Sequence, residues 1–174
     1  MTTTKKIILF LFIVIIALPV AVFFSNPAAF WERIAGSPDL GAVNFARLTK
    51  APTPNQYLIC PPSVCTLETS DEKAKNYPLD AVTLKLKFIA AVGAENVEIV
   101  ENADNVLRFI VRTPFFKFPD TVSLAFFPTD NGSTFAIYSR SQIGYFDLDT
   151  NKNRVQKWLK KLASLISEET KLNK

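Results

Sequence analysis

Histidine is absent from this 174-residue chain. That omission excludes Ser-His-Asp and Cys-His nucleophile systems and most zinc sites. Only two cysteines occur, Cys60 and Cys65, and two thiolates with no further soft ligand make a poor metal site. Their Cys-Pro-Pro-Ser-Val-Cys spacing is also longer than the two-residue spacing of thioredoxin-like redox motifs. No glycine-rich phosphate loop and no conspicuous nucleophile is present, so neither a cofactor nor a metal is expected. An excess of charge is lacking too. There are 20 basic and 16 acidic residues, and setting aside Lys5 and Lys6 leaves a net charge of about +2, without the basic footprint of a nucleic-acid binder.

Charge is missing altogether from residues 7–24, eighteen consecutive apolar positions behind Lys5 and Lys6. At about 1.5 Å per residue the run spans roughly 27 Å, close to the hydrocarbon thickness of a bilayer. The lysines on its N-terminal side leave residues 1–6 in the cytoplasm by the positive-inside rule. The expected location is therefore the inner (plasma) membrane, single-pass, with the rest of the chain periplasmic or otherwise extracytoplasmic. A cleaved signal would have a shorter core and small residues before the cut. This run instead ends in Val22, Phe23 and Phe24, and Phe30 and Trp31 follow at interfacial depth. The reading favoured is an uncleaved anchor kinked near Pro19, with a cleaved, free domain as its rival.

Outside the cytoplasm Cys60 and Cys65 can oxidise and stay oxidised. A disulfide closing so short a loop stabilises by about 2 kcal/mol on the chain-entropy model. Free thiols are the alternative.

Residues 25–54 are rich in Pro, Ala and Gly and read as a tether carrying one short helix over 28–35. Residues 55–167 form one α+β domain, and 168–174 are a polar tail. Asp80 and Gly93 bracket a helix over 81–92, although alternation of Val82, Leu84, Leu86 and Phe88 also suits a strand. Strands are expected over 97–101 and 106–112, then over 121–127 and 134–141 around the turn signal Asp130-Asn131-Gly132. Val155, Trp158, Leu159, Leu162, Leu165 and Ile166 recur at three- and four-residue spacing, predicting an amphipathic helix over 150–167. The expected fold is an antiparallel sheet of four to five strands, with one helix before the hairpins and the long C-terminal helix packed on one face. Fifteen phenylalanines make the core or a pocket aromatic. The run Phe115, Phe116 and Phe118, with Phe126, Phe127 and Phe135, is read mainly as packing, and otherwise as a lined cavity or a loop dipping into a membrane surface.

Unusual polar residues gather where the last strand meets the last helix: Ser139, Arg140, Ser141, Gln142, Gly144, Asp147, Asn151 and Arg154. The string from Tyr138 to Gly144, followed by Asp147, Asn151 and Arg154, resembles the closing motif of the domain-of-unknown-function family 1499. Pro54-Asn55 before the cysteine loop, Arg112-Thr113, and Phe118-Pro-Asp-Thr121 are similar in order, most of all to membrane-anchored alphaproteobacterial members. The likeness covers residues 39–160 and departs at Asp149 and Lys152, where similar proteins have Gly and then a basic residue. It implies no biochemical activity, since the family has none established.

Two readings of the cluster stand side by side. Arg140, Arg154, Asp120 and Asp147 can form an ion-pair network joining helix to sheet. Alternatively Arg112, Arg140 and Arg154 make an anion clamp, with Asp120, Ser139, Ser141, Asp147 and Asn151 completing a ligand site. The first function hypothesis is a non-enzymatic module binding a lipid or other anionic amphiphile. The second is a protein-interaction or structural accessory module of the cell envelope. Hydrolysis by an Asp120–Asp147 carboxylate pair is a distant third.

Overall fold

The computed structural model describes residues 3–66, 70–93, 95 and 97–172. Helix α1, Thr3–Ser25, is long and apolar enough to cross a membrane, and no residue of its apolar window is buried. Its ladder widens to a π turn over Ile13–Ala17, just before Pro19, whose ring lacks an N–H and crowds the carbonyl four residues back. Helix α2, Pro27–Ala35, follows at once. The Asn26 side chain accepts from the Ala29 N–H to cap it, and Gly36 at φ +82° ends it.

Six strands form one sheet: β1 Gln56–Cys60, β2 Glu72–Lys73, β3 Val97–Ala103, β4 Val106–Arg112, β5 Pro119–Thr129 and β6 Gly132–Ser141, in the order β2-β1-β6-β5-β4-β3. The α+β class stands, with two corrections to the expected sheet. It has six strands, not four or five, and it is mixed, because β1 and β2 run parallel. The added strand β1 sits in the Pro-rich segment and is buried from Tyr57 to Cys60, so it shows no alternation to read. Thr129 pairs with Gly132 in a two-residue hairpin. Gly132 is obligatory there: its φ is +135°, and a Cβ would lie 2.0 Å from the Tyr77 carbonyl oxygen.

Helices α3, Ala81–Val92, and α4, Thr150–Leu172, cover one face. Asp80 caps α3 by accepting from the Val82 and Thr83 N–H groups, and Gly93 closes it, which decides for helix over strand. Helix α4 runs past the expected end at Ser167 to Leu172, and residues 173–174 of the expected polar tail lie outside the described residues. Val155, Trp158 and Leu162 lie fully buried along its stripe. Trp158 meets Phe88 and Phe109 edge-on, while Phe126 and Phe135 pack against Phe88. Each such side chain contributes about 1.5–3 kcal/mol by leaving water.

The second face carries a smaller core of Phe45, Leu48, Leu58, Ala136, Tyr138 and the joined Cys60–Cys65 pair. Residues 35–48 lie across it as a strap. Leu40 N–H donates to Thr121 Oγ1 at 3.0 Å, and that hydroxyl donates to the Pro38 carbonyl. Gln142 donates to the Ala35 and Ser37 carbonyls. The segment read as a tether is thus bonded to the sheet.

Candidate functional site

Strand alternation sorts the candidate residues before any contact is considered, since neighbours in a strand point to opposite faces. Asp120, Ser139 and Ser141 point to the helix-covered face, where α4 meets them. Asn151, on the first turn of α4 and fully buried, is the hub. Its side-chain amide donates to the Asn55 carbonyl at 3.1 Å, Ser141 Oγ at 2.9 Å and Asp147 Oδ2 at 2.7 Å. Its side-chain oxygen accepts from Ser139 Oγ and from Arg154 Nη1. Asp147 Oδ2 also accepts the Asn151 backbone N–H at 2.9 Å, satisfying an orphan donor of the first helical turn. Arg154 Nη2 reaches Asp120 Oδ2 at 2.6 Å, and Asp120 is 1% exposed.

Arg112 and Arg140 point to the other face. Arg140 donates to the Leu40 and Gly41 carbonyls of the strap and lies over the Tyr138 ring; burial lowers its pKa from the ordinary arginine value. Arg112 pairs with Glu32 of α2 at 2.6 Å and with Glu98 at 3.6 Å. A three-arginine clamp therefore does not form. The partner of Asp120 is Arg154, not Arg140, and the helix-to-sheet network excludes the arginine on the strand.

Beside the network opens a cleft of about 280 Å³ lined by Thr113, Phe116, Phe118, Asp120, Ser141, Ile143, Gly144, Phe146, Asp147, Leu148 and Thr150. Its walls are apolar, and part of its polar lining belongs to the network. Two loops rim it, residues 113–118 between β4 and β5 and residues 142–149 between β6 and α4. Their tips carry Phe115 at 87%, Phe146 at 71% and Leu148 at 90% exposure. Among the described residues, the non-glycine positions with positive φ are Lys117, Leu148 and Asp149, all in these two loops. A left-handed leucine is costly for its steric bulk, and such strain collects at functional loops. Of the phenylalanines read mainly as packing, Phe126 and Phe135 are core, whereas Phe115 and Phe116 are exposed. Tyr145, Phe146 and Leu148 escape sequence reasoning because they follow neither helical nor strand periodicity. Their one signal is three large apolar residues in a segment between elements.

Residues 53–162 match the family described as "Protein of unknown function (DUF1499)". The chain belongs to this family. The match runs from the loop before β1 into α4, so the DUF1499 region includes all six strands, the Asn151 network and both rim loops. Helices α1 and α2 and the strap precede it. No curated protein matches the chain. A larger hollow in the DUF1499 domain, about 600 Å³, is lined by Lys50, Asp71, Asp147, Asp149 and Lys152 among others. Its lining mixes Pro52, Pro54, Tyr57 and Tyr145 with charges of both signs, Lys50 and Asp71 paired at 2.9 Å, whereas the smaller cleft is mostly apolar with a few polar groups and is the better ligand candidate.

Proposed function

We propose that this DUF1499 protein is a membrane-anchored, non-enzymatic binding module that holds a lipid or other amphiphile in the cleft between its rim loops. Helix α1 is the retained single-pass anchor, with the N-terminus in the cytoplasm and the domain on the extracytoplasmic side. The observation that carries the binding reading is the make-up of the cleft: apolar walls from Phe116, Phe118, Ile143, Phe146 and Leu148, with Asp120, Ser141 and Asp147 supplying acceptors. An alkyl chain suits the walls. The guanidinium of Arg154 is tied to Asp120, Arg112 is paired with Glu32 of α2, and Arg140 bonds the strap. A head group bringing hydroxyl or amino donors therefore suits the polar lining better than the anionic head group expected from the arginines alone.

The test is native mass spectrometry of the full-length protein released from mild detergent, compared with an Ile143→Trp variant that fills the cleft. The expected result is a discrete added mass on the wild type, lost in the variant. A wild type without added mass, or an added mass that Ile143→Trp leaves unchanged, would overturn this reading in favour of a protein-interaction or structural accessory module.

A further inference from the structure

We infer that the tips of the two rim loops insert into the bilayer surface, so that the cleft opens towards lipid and not towards bulk water. This rests on α1 being the anchor but not on the cleft being occupied. The deciding contact is between Phe23, inside the apolar run, and Phe116 on the first rim loop, with ring centroids 6.2 Å apart. Trp31 bridges the same two parts. Its indole N–H donates to the Phe116 carbonyl at 2.6 Å, and its ring lies 4.7 Å from that of Phe118. An aromatic at the end of a membrane span sits at the hydrocarbon boundary, and tryptophan favours the interface just beyond it. A loop held against both is at that depth as well.

The second loop continues the same surface, because Phe146 and Leu148 share the cleft with Phe116. Together Phe115, Phe116, Tyr145, Phe146 and Leu148 leave more large apolar surface in water than a connecting loop needs. The partner committed to is the bilayer that α1 enters, since no other apolar phase is tied to these loops by a contact. Lys117, next to Phe116 in the first rim loop, suits a surface containing anionic lipid.

Nitroxide labels on the full-length protein test this in vesicles of phosphatidylcholine with phosphatidylglycerol. Leu148→Cys and Phe115→Cys carry the label at the rim, and Asn131→Cys carries it on the hairpin at the opposite end of the sheet. All three sites are exposed, and the native cysteines are joined to each other. The expected result is a severalfold higher ratio of oxygen to nickel-chelate accessibility at 148 and 115 than at 131. Equal ratios at the three sites would overturn the inference. Wild-type labelling and wild-type mass spectra together separate the two proposals. Inserted loops on a wild type that carries no lipid mass sink only the cleft reading, and water-exposed loops on a wild type whose lipid mass is lost in Ile143→Trp sink only this one.

Discussion

Arg154 and Asp120 are joined through a single 2.6 Å contact that ties the second turn of α4 to the start of β5. Asp120 is 1% exposed and the Arg154 side chain 10%, so neither charge has water to fall back on. Breaking such a pair from one side costs about 3–5 kcal/mol, because the remaining charge stays buried. Arg154→Ala should lower stability by that amount in denaturant unfolding. The double change Arg154→Met with Asp120→Leu should recover most of it, since an apolar pair of similar volume is often neutral. A double variant no better than Arg154→Ala would show that the two residues are not coupled.

Tyr57 ties stability to alkaline pH. Its hydroxyl donates to Glu72 at 2.7 Å, and burial, reinforced by that bond and the Glu72 charge, raises its pKa from 10.0 to about 12. The folded state therefore favours the protonated phenol. Its contribution is complete below pH 10, the unfolded value, and is lost as pH rises towards about 12. Unfolding followed across that interval should show stability falling more steeply in wild type than in Tyr57→Phe, and parallel profiles would refute the linkage.

Leu148 is strained at φ +53° and 90% exposed. Replacing it by glycine removes the steric cost of the left-handed conformation, offset by glycine's greater freedom when unfolded. Leu148→Gly should leave thermal stability unchanged or raise it by up to about 1 kcal/mol, while weakening insertion of the labelled Phe115 site. A clear loss of stability would mean that Leu148 packs as core does.

Arg140 holds the strap through the Leu40 and Gly41 carbonyls. Arg140→Ala should accelerate amide exchange at Leu40, whose N–H bonds Thr121, and cost about 1.5–3 kcal/mol, the value of hydrogen bonds to a charged group. Exchange at Val155 in α4 should not change, and a uniform acceleration would indicate global rather than local loosening.

Helix α4 and the β5–β6 hairpin are legible because their apolar periods and the Asn-Gly turn leave no competing pattern. Helix α3 is decided only by its ends, Asp80 and Gly93, since its interior also alternates. Strand β1 is hidden because both its faces are covered, leaving Tyr57 to Cys60 uniformly apolar inside a proline-rich stretch. Asp120, Asn151 and Arg154 stand out as clustered polar residues next to apolar stripes. The parity of the arginine on β6 was also there to be read. Arg140 lies between Ser139 and Ser141, so a strand that points both serines at α4 must point Arg140 away from it. What no pattern announces is the strap, because its attachment depends on Gln142, Thr121 and Arg140 reaching backbone carbonyls about 80 to 110 positions earlier.

Left free, residues 36–48 could pay out about 45 Å of chain and let the domain range through a half-sphere above its anchor. Stitched across the sheet, they give no such play. On the anchored reading the domain is less a tethered float than a mast stepped into the deck: it rotates and diffuses with α1, at one height and with one end always towards the membrane. Its encounters are then confined to two dimensions, and whatever it meets must come to the surface to be met.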